Sequence, residues 1–527
     1  MIYRVLIADS VHEGCDEILA SEGFEVTRAL GKSDDELAEI IGEFDAMIVR
    51  SAVKVKRPLI EKMSRMKVIG RAGAGVDNID VGAATEHGIL VMNTPGGNTI
   101  SAAEHTLAMI LTLLRKIPAA NRSLREEKWD RKSFVGTELL EKTVGILGVG
   151  RIGTEVAKRL RPFGVKLLGY DPMLAEDAIR SVGLESADLD TIIAQSDILS
   201  LHLPLNSETR GMIGAERLAQ MKPGSFIINC ARGGIVDEAD ILNALNEGKI
   251  AGVAFDVFEG EPPEFPNELI QHPNVVSTPH IAASTDEAQE RVAFAIARQI
   301  AALLKGGEGV GLVNAEDLDG ALQSQFVPYA KAAVSLGKVI RALIGSRDLT
   351  INLHLFEENS ALMLNGICAS MLVGIFEGEE SRVNAINAPI LAERSNVVVT
   401  ATGEGRDERY HFLLGAEVKS ERSQLDLAVT LFGNAEPRLV MVDNYWFDIR
   451  PEGALLLIRH QDRPGTLAAI SAVLGEEGVN IADLSLGRKS EGEEAITLVR
   501  LDTALSEEGI AKLEAIEQVE HGMAFFL

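Results

Sequence analysis

Over the first hundred residues, short apolar runs rich in β-favouring side chains alternate with segments whose apolar positions recur every three or four residues. Residues 5–8, 46–49, 68–70 and 90–93 read as strands, and 11–22 and 34–41 as helices. Such alternation predicts a parallel sheet covered by helices. Residues 101–116 form a long amphipathic stretch, with Ser101 and Glu104 in a capping-box pattern at its start. It reads as a connecting helix. A second alternating block follows, with strands at 144–147, 166–170, 198–201, 226–229, 252–255 and 275–277, then a helix at 286–304 that can return to the first block. The pattern breaks at Lys305-Gly306-Gly307-Glu308-Gly309-Val310-Gly311, where four glycines in seven residues predict a linker or hinge. Beyond it, β-rich runs at 395–402 and 427–432 carry no readable chemistry. The last 75 residues give strands at 454–459, 481–486, 495–500 and 518–526 and helices at 466–477 and 506–514, the βαββαβ order of a ferredoxin-like domain.

The expected architecture is therefore α/β: two lobes of doubly wound parallel sheets, one flavodoxin-like and one Rossmann, then an α+β middle domain and a ferredoxin-like domain. The boundaries expected are 1–97 with 285–306, 98–284, 312–448 and 453–527. Four domains suit 527 residues at about 100–200 residues each. Lys and Arg number 51 against 78 Asp and Glu, so the formal charge is −27, which disfavours a nucleic-acid partner. Three cysteines, Cys15, Cys230 and Cys368, have neither metal-ligand spacing nor the numbers for a disulfide framework. No apolar run reaches the roughly 18–20 residues of a membrane span, and the N-terminus lacks the order of a signal peptide. A cytoplasmic protein with no membrane partner and no metal is expected.

The strongest local signal is Gly148-Val149-Gly150-Arg151-Ile152-Gly153, directly after a strand and opening a helix. Gly148, Gly150 and Gly153 suit a tight turn, close approach of pyrophosphate, and helix–strand packing; the helix N-terminus offers free N–H groups to phosphates. Asp171 stands eighteen residues after Gly153, at the end of the next strand. A carboxylate there binds both ribose hydroxyls and repels a 2′-phosphate, favouring NAD over NADP. Arg232, Glu261 and His280 each follow a strand of the same block, where ligands collect on open α/β sheets. Oxidation of an alcohol needs a base, and His280 suits it; Glu261 beside it would favour imidazolium; Arg232 can hold a carboxylate in a bidentate pair.

The chain resembles the D-2-hydroxyacid dehydrogenase family, and within it the long D-3-phosphoglycerate dehydrogenases. The resemblance rests on Gly73-Ala74-Gly75-Val76-Asp77-Asn78-Ile79-Asp80, the turn at Gly148, Asn229-Cys230-Ala231-Arg232-Gly233-Gly234, Phe255-Asp256-Val257-Phe258 and Thr278-Pro279-His280. It implies His280 as acid/base, Glu261 as its partner and Arg232 as the carboxylate-binding residue. It also implies NAD contacts at Arg151, Ile152, Asp171, Cys230, Ala231, Arg232, Asp256, His280, Ile281, Ala282 and Ala283. Gly73, Ala74 and Gly75 resemble the turn that binds the substrate carboxylate, while Arg50, beside Ser51, and Arg131 with Lys132 are the cations expected for a substrate phosphate, the latter two reaching a neighbouring subunit. His105 and His202 are assigned to packing.

The C-terminal pieces resemble the allosteric substrate-binding and ACT domains of the long forms. His460, Asp462 and Asn480 stand where such relatives bind L-serine across an ACT–ACT interface. Arg382, Asn384, Asn387 and Arg394 resemble the family's anion-binding region, with the ligand open. The expectation is NAD-dependent oxidation of 3-phospho-D-glycerate to 3-phosphohydroxypyruvate under serine feedback, in a homodimer or homotetramer. A dehydrogenase for another 2-hydroxy acid, or a non-catalytic NAD and amino-acid sensor, stands as the alternative.

Overall fold

Five parallel strands, β1 (Arg4–Ile7), β2 (Glu25–Arg28), β3 (Ala46–Val49), β4 (Val68–Arg71) and β5 (Leu90–Met92), form the first sheet in the order β2-β1-β3-β4-β5. All four residues of β3 are buried, as a strand covered by helices on both faces must be. The apolar pattern does not mark β2. Strand order reverses between β1 and β3, so the loops after those strands open at the switch point where such sheets take ligands. Among the first helices, Asp34–Ile40 carries a full capping box: Ser33 Oγ accepts the Glu36 amide, and the Glu36 carboxylate accepts the Ser33 amide. The box expected at Ser101 and Glu104 is not formed. The helix there, Thr99–Leu114, is capped three residues earlier, at Asn98, so Ser101 lies inside the first turn and donates to the Asn98 carbonyl.

The structure is a computed structural model describing residues 2–307, 309–315, 318, 326–358, 360–379, 382–433 and 436–527. One compact unit takes the chain up to Arg71, Gly75–Asn93 and Ile296–Leu527; the other takes Ala72–Ala74 and Thr94–Ala295. The second unit holds a seven-stranded parallel sheet: β6 (Thr143–Leu147), β7 (Lys166–Tyr170), β8 (Glu185–Ser186), β9 (Ile198–Leu201), β10 (Ser225–Asn229), β11 (Ile250–Phe255) and β12 (Val275–Ser277). Its order, β12-β11-β10-β9-β6-β7-β8, is the Rossmann arrangement with its switch point between β6 and β9. The helix Asp286–Leu304 matches its expected span and contributes to the first unit from Ile296 onward.

The rest of the first unit holds two further sheets. Strands β13 (Leu349–Phe356), β14 (Val397–Gly405), β15 (Leu413–Lys419), β16 (Gln424–Phe432), β17 (Glu436–Val442) and β18 (Tyr445–Ile449) are ordered β14-β13-β15-β16-β17-β18. Helices Val327–Leu343 and Leu364–Phe376 supply much of the core against it. Strands β19 (Ala454–Gln461), β20 (Ile481–Arg488), β21 (Glu494–Leu501) and β22 (Val519–Phe526) are ordered β20-β21-β19-β22, the antiparallel ferredoxin-like sheet expected from the βαββαβ order. Leu455, Leu457, Ile496 and Leu498 of this sheet join the core of the six-stranded one, so the two C-terminal sheets share buried apolar surface.

The glycine-rich segment differs from a free hinge. Glu308 lies outside the described residues, but just after it the chain runs along the edge of β5: Asn93 N–H donates to Gly311, Val313 N–H donates to Val91, and Met92 bridges Leu312. Asn314 ends the zipper. Its amide oxygen accepts the Val91 N–H at 2.8 Å, and its NH2 donates to Thr85 Oγ1 at 3.0 Å and to the Ile89 carbonyl at 2.9 Å. Residues with the glycines of a linker can still pair with a sheet edge that needs covering.

The middle domain also grips the first lobe. Asn384 NH2 donates to Gly88 O at 2.8 Å, Asn387 NH2 to Glu86 O at 3.3 Å, and the Glu86 carboxylate sits between Arg57 at 3.0 Å and Arg394 at 3.2 Å. These residues, which resemble an anion-binding region in sequence, hold a neighbouring lobe in this structure.

Asn314→Ala removes three hydrogen bonds and leaves the Val91 amide without its acceptor, a cost of about 1–3 kcal/mol. The first unfolding transition in differential scanning calorimetry should move down by several degrees, whereas Asn314→Asp, which keeps the acceptor, should recover part of the loss.

Candidate active site

The second unit contains most of the expected site, and its backbone explains the sequence there. Gly148 leaves β6 at φ +94°, and a Cβ on it would lie 2.6 Å from the carbonyl oxygen of His202, at the end of β9 across the switch point. A Cβ on Gly153 would overlap the Gly148 carbonyl. Gly150, by contrast, faces open space and caps the helix Arg151–Leu160 without any side-chain hydrogen bond. The result is a bare helix N-terminus beyond a glycine-lined turn, the form that accepts a pyrophosphate. Asp171, at the end of β7, accepts the Val149 N–H at 2.9 Å through one oxygen and the Met173 N–H at 2.9 Å through the other. Its carboxylate is thus held at the rim of that turn, where ribose hydroxyls are expected. The residues present fit a dinucleotide.

The catalytic candidates sit on three neighbouring segments that follow β10, β11 and β12. His280 Nδ1 lies 2.7 Å from Glu261 Oε2, while Glu261 Oε1 accepts the Phe258 N–H at 3.2 Å. Burial pushes the Glu261 carboxyl up, but the bond and charge of His280 outweigh it together with the Phe258 N–H, and its pKa is held low. Glu261 is therefore ionised at neutral pH, and Nδ1 of His280 carries the proton. His280 has φ +51°, uncommon for a residue with a side chain, and something must hold it there.

That holder is Asp256. Its side chain is fully buried, with Oδ1 accepting from Thr278 Oγ1 at 2.6 Å and from the Ile281 N–H at 2.9 Å, and Oδ2 from the Ala282 N–H at 2.9 Å. The His280 N–H donates to the Asp256 carbonyl at 2.8 Å. Burial raises the Asp256 pKa, yet the bonds from His105, Thr278, Ile281 and Ala282 overcome it and keep the group ionised. The family resemblance marks Asp256 only as a cofactor contact; in the structure its oxygens position the His280 loop. His105 corrects the packing assignment in the same way, since its Nε2 lies 3.2 Å from Thr278 Oγ1 and 3.4 Å from Asp256 Oδ1. Ile281 is exposed, Ala282 buried and Ala283 half-buried along this loop.

Arg232 sits on the turn after β10. Asn229 shapes it, accepting the Ala231 N–H at 3.1 Å and donating to Arg232 O at 2.9 Å, and Arg232 itself donates to Ala231 O at 2.7 Å. The next residue must be glycine: a Cβ on Gly233 would overlap the Phe258 carbonyl, so the turn carrying Arg232 lies directly on the one carrying Glu261. Burial, with the Asp256 charge adding to it, pushes the Cys230 thiol up to about 12, which removes thiolate chemistry.

The remaining candidates are less assembled. Arg50 and Ser51 follow β3 in the first unit, where the buried Asp9 carboxylate accepts the N–H groups of Arg50 at 2.9 Å, Ala52 at 3.0 Å and Val53 at 3.2 Å. Asp9, unremarked in the sequence, thus builds the loop that carries the candidate phosphate ligand; a carboxylate ending a strand at a switch point was the available signal. Arg71 Nε also donates to Arg50 O at 3.2 Å. Gly73 and Ala74 belong to the second unit and Gly75 to the first. Arg131 and Lys132 are exposed on a turn capped by Asp130, which accepts the Lys132 N–H at 3.0 Å.

In the ferredoxin-like domain, the structure removes His460 from the effector set. It is fully buried, with Nε2 at 2.7 Å from Thr497 Oγ1 and Nδ1 at 3.0 Å from Gln461 O. Its side chain shares a strand face with Leu456 and Ile458 and cannot meet a ligand at the surface. Asp462 pairs with Arg488 at 2.8 Å, and that bond holds its pKa down. Asn480 is exposed and donates to Asp502 at 2.7 Å.

Three family models match along the chain: the NAD-binding domain of D-isomer-specific 2-hydroxyacid dehydrogenases over residues 107–282, the D-3-phosphoglycerate dehydrogenase intervening domain over 325–443, and the ACT domain over 454–518. The D-3-phosphoglycerate dehydrogenase of Methanocaldococcus jannaschii is 39% identical over 98% of both chains. That of Bacillus subtilis is 36% identical over 98% of both, and the human one 39% identical over 93% of both. The chain belongs to the D-3-phosphoglycerate dehydrogenase family. Among solved structures, the D-lactate dehydrogenase of Aquifex aeolicus, described as complexed with NAD and lactic acid, aligns at TM-score 0.51 and 32% identity over 57% of this chain and 96% of that one. The family is NAD-dependent, and its ACT domain implies a small-molecule effector.

One further group bears on the NAD turn. His202, whose backbone meets Gly148, has Nε2 at 2.9 Å from Ser200 Oγ, and burial pushes its pKa from 6.5 down to about 4. The unfolded chain takes up this proton near pH 6.5 and the folded chain only near pH 4. Stability is therefore full above about pH 6.5 and falls as pH drops toward 4, with no further loss from this group below. His202→Asn should flatten that slope in thermal unfolding measured between pH 7 and 4.

Proposed function

We propose that this chain oxidises 3-phospho-D-glycerate at C2 to 3-phosphohydroxypyruvate, the first step of phosphorylated serine biosynthesis. The observation that carries the reading is the Glu261–His280 pair, 2.7 Å apart, with the turn that delivers Glu261 packed against the turn of Arg232. With Nδ1 protonated and bonded to Glu261, His280 presents Nε2 as an acceptor for the substrate hydroxyl proton. Glu261 then faces a full imidazolium and stabilises it. Arg232 pairs with the C1 carboxylate and fixes C2 against the base. Bound NAD supplies the acceptor for the hydrogen leaving C2. The Arg151 and Ile152 amides, with Gly148, Gly150 and Gly153, would hold its pyrophosphate, and Asp171 its ribose. Cys230, Ala231 and the Ile281–Ala282–Ala283 backbone would line the nicotinamide end, while Gly73, Ala74 and Gly75 would offer N–H groups to the substrate carboxylate.

For the substrate phosphate, the reading uses Arg50 with Ser51, and Arg131 with Lys132 supplied across a homodimer. An exposed apolar arm supports such a dimer: Ile117 (50% exposed), Leu124 (58%), Trp129 (80%) and Val135 (73%) flank the basic turn in sequence, and the helix Ile117–Arg125 buries no residue of its own. A tetramer would use further contacts through the C-terminal domains. L-serine is the proposed effector, with Asp462 and Asn480 as its ligands and without His460; its ammonium would compete with Arg488 for Asp462. The cytoplasm is the proposed location, and among the described residues no helix is long and apolar enough to cross a membrane.

The test is NADH consumption with 3-phosphohydroxypyruvate, hydroxypyruvate and 2-oxoglutarate, each with and without L-serine. Fastest turnover of the phosphorylated acid is expected, slowed by serine. Turnover of only the unphosphorylated acids would remove the phosphate roles of Arg50 and Arg131, and indifference to serine would leave the dehydrogenase intact but give the ACT domain another ligand. His280→Ala should lower kcat by about 10²–10⁴ while NADH still binds by fluorescence. A wild-type chain with no turnover to lose would mark a sensor instead.

Removing the Asp462 ligand gives a separate outcome. Asp462→Asn should weaken serine inhibition by about tenfold or more, through loss of a charge-assisted bond, with kcat unchanged in the absence of serine.

A further inference from the structure

The helix Glu238–Asn246 starts directly after the strand-end segment that follows the Arg232 turn, and its cap is already supplied: Asp237 accepts the Asp240 N–H at 2.9 Å. Glu238, the first helical residue, is therefore not needed by its own helix. Its half-buried carboxylate reaches instead to residue 259, accepting the Glu259 N–H at 2.7 Å. Burial and the neighbouring charges of Glu259 and Asp237 push its pKa up, so the position is costly for a carboxylate and needs a compensating bond. An exposed surface acid has no such cost, and no reason to hold one backbone amide of a distant turn.

The turn it holds is the one that delivers Glu261. Val257 and Phe258 are buried, the Phe258 carbonyl is pressed on Gly233, and the Phe258 N–H takes Glu261 Oε1. The Glu259 N–H, taken by Glu238, is the next amide along. Two successive amides of the turn thus end on two carboxylates, one from outside and one from within. With Oε1 spent, Glu261 has only Oε2 for His280 Nδ1. A turn free to rotate at residue 259 would let Glu261 swing into solvent, since Gly260 beside it has no side chain to resist and open space where a Cβ would be.

We infer that Glu238 is a positioning residue: by fixing the Glu259 amide it locks the 257–261 turn so that Glu261 meets His280, and, through its own helix, ties that geometry to the turn carrying Arg232. The inference rests on the reading of Glu261 and His280 as the acid–base pair. Glu238 itself touches neither substrate nor cofactor in this account, and it acts only by way of Glu261.

The experiment is a kinetic cycle on the full-length enzyme, using Glu238→Ala, Glu238→Gln, Glu261→Gln and the double variants, with NADH and 3-phosphohydroxypyruvate. Glu238→Ala should lower kcat by about tenfold to a hundredfold with the KM for NADH unchanged, while Glu238→Gln, which keeps an acceptor oxygen, should stay within about threefold of wild type. In the Glu261→Gln background, Glu238→Ala should cost nothing more, because its effect runs through the residue already altered. A merely structural role predicts the opposite, an equal loss in both backgrounds, and would overturn the inference. So would wild-type kcat in Glu238→Ala, or Glu238→Gln as impaired as Ala. If Ala does not fold, Glu238→Asp, one methylene short, enters the same cycle with the same expected non-additivity. Unchanged kcat in Glu261→Gln and His280→Ala would bring down the acid–base reading itself; a loss in those two with none in Glu238→Ala brings down only the positioning role.

Discussion

A carboxylate with no access to water organises the loop that carries His280. Asp256 closes the end of β11 and gathers the Thr278 hydroxyl and the N–H groups of Ile281 and Ala282, with His105 approaching from the connecting helix. An ionised group so buried is stable only if every lone pair finds a donor, and here the donors come from the loop that has to be shaped. The same set of bonds holds His280 at its left-handed backbone angle and aims its ring at Glu261. On the other side of Glu261, Gly233 brings the Arg232 turn into contact with Phe258. His280, Glu261 and the Arg232 turn are therefore tied to one another by backbone and buried bonds within a single unit.

Much of the fold was legible because the two parallel sheets are covered on both faces, and burial on both faces leaves uninterrupted apolar runs in the sequence. β3, β7 and β9 fall on their expected residues for that reason; β12, a half-buried edge strand, was legible from its Val275-Val276 run instead. Within these two sheets, the two strands that escaped, β2 (Glu25–Arg28) and β8 (Glu185–Ser186), lie at sheet edges and carry polar residues, so no apolar run marks them. The capping box at Ser101 failed for a local reason: the pattern is present, but the helix is capped three residues sooner, at Asn98. The edge pairing just after the glycines was not legible, because composition reports what a segment can do alone, and β5 offers Gly311 to Val313 an edge to pair with.

Site residues divide along the same line. The placement of the glycine turn, Asp171, Arg232, Glu261 and His280 was legible because each follows a strand whose position the pattern fixes. Asp9, His105 and Glu238 were not, since their partners lie far off in sequence, at Arg50 to Val53, at Asp256, and at Glu259. His460 shows the reverse error. Alternation along β19 places it on one face with Leu456 and Ile458, and that period of two is written in the amino-acid sequence itself.

The grip of the middle domain on Glu86 and Gly88 has a mechanical meaning. The helix Val81–Glu86 is six residues long, capped at its start by Asp80 through the Ala83 N–H at 2.9 Å. Asp80 also ends the stretch Gly75–Asp80 that leads away from the expected substrate turn. At about 1.5 Å per residue the helix is a strut of roughly 9 Å, far too short to curve. A strut that stiff transmits position rather than absorbing it. Asn384, Asn387 and Arg394 hold the far end of that helix, so a displacement of the middle domain would reach the stretch ending at Asp80 through six residues only.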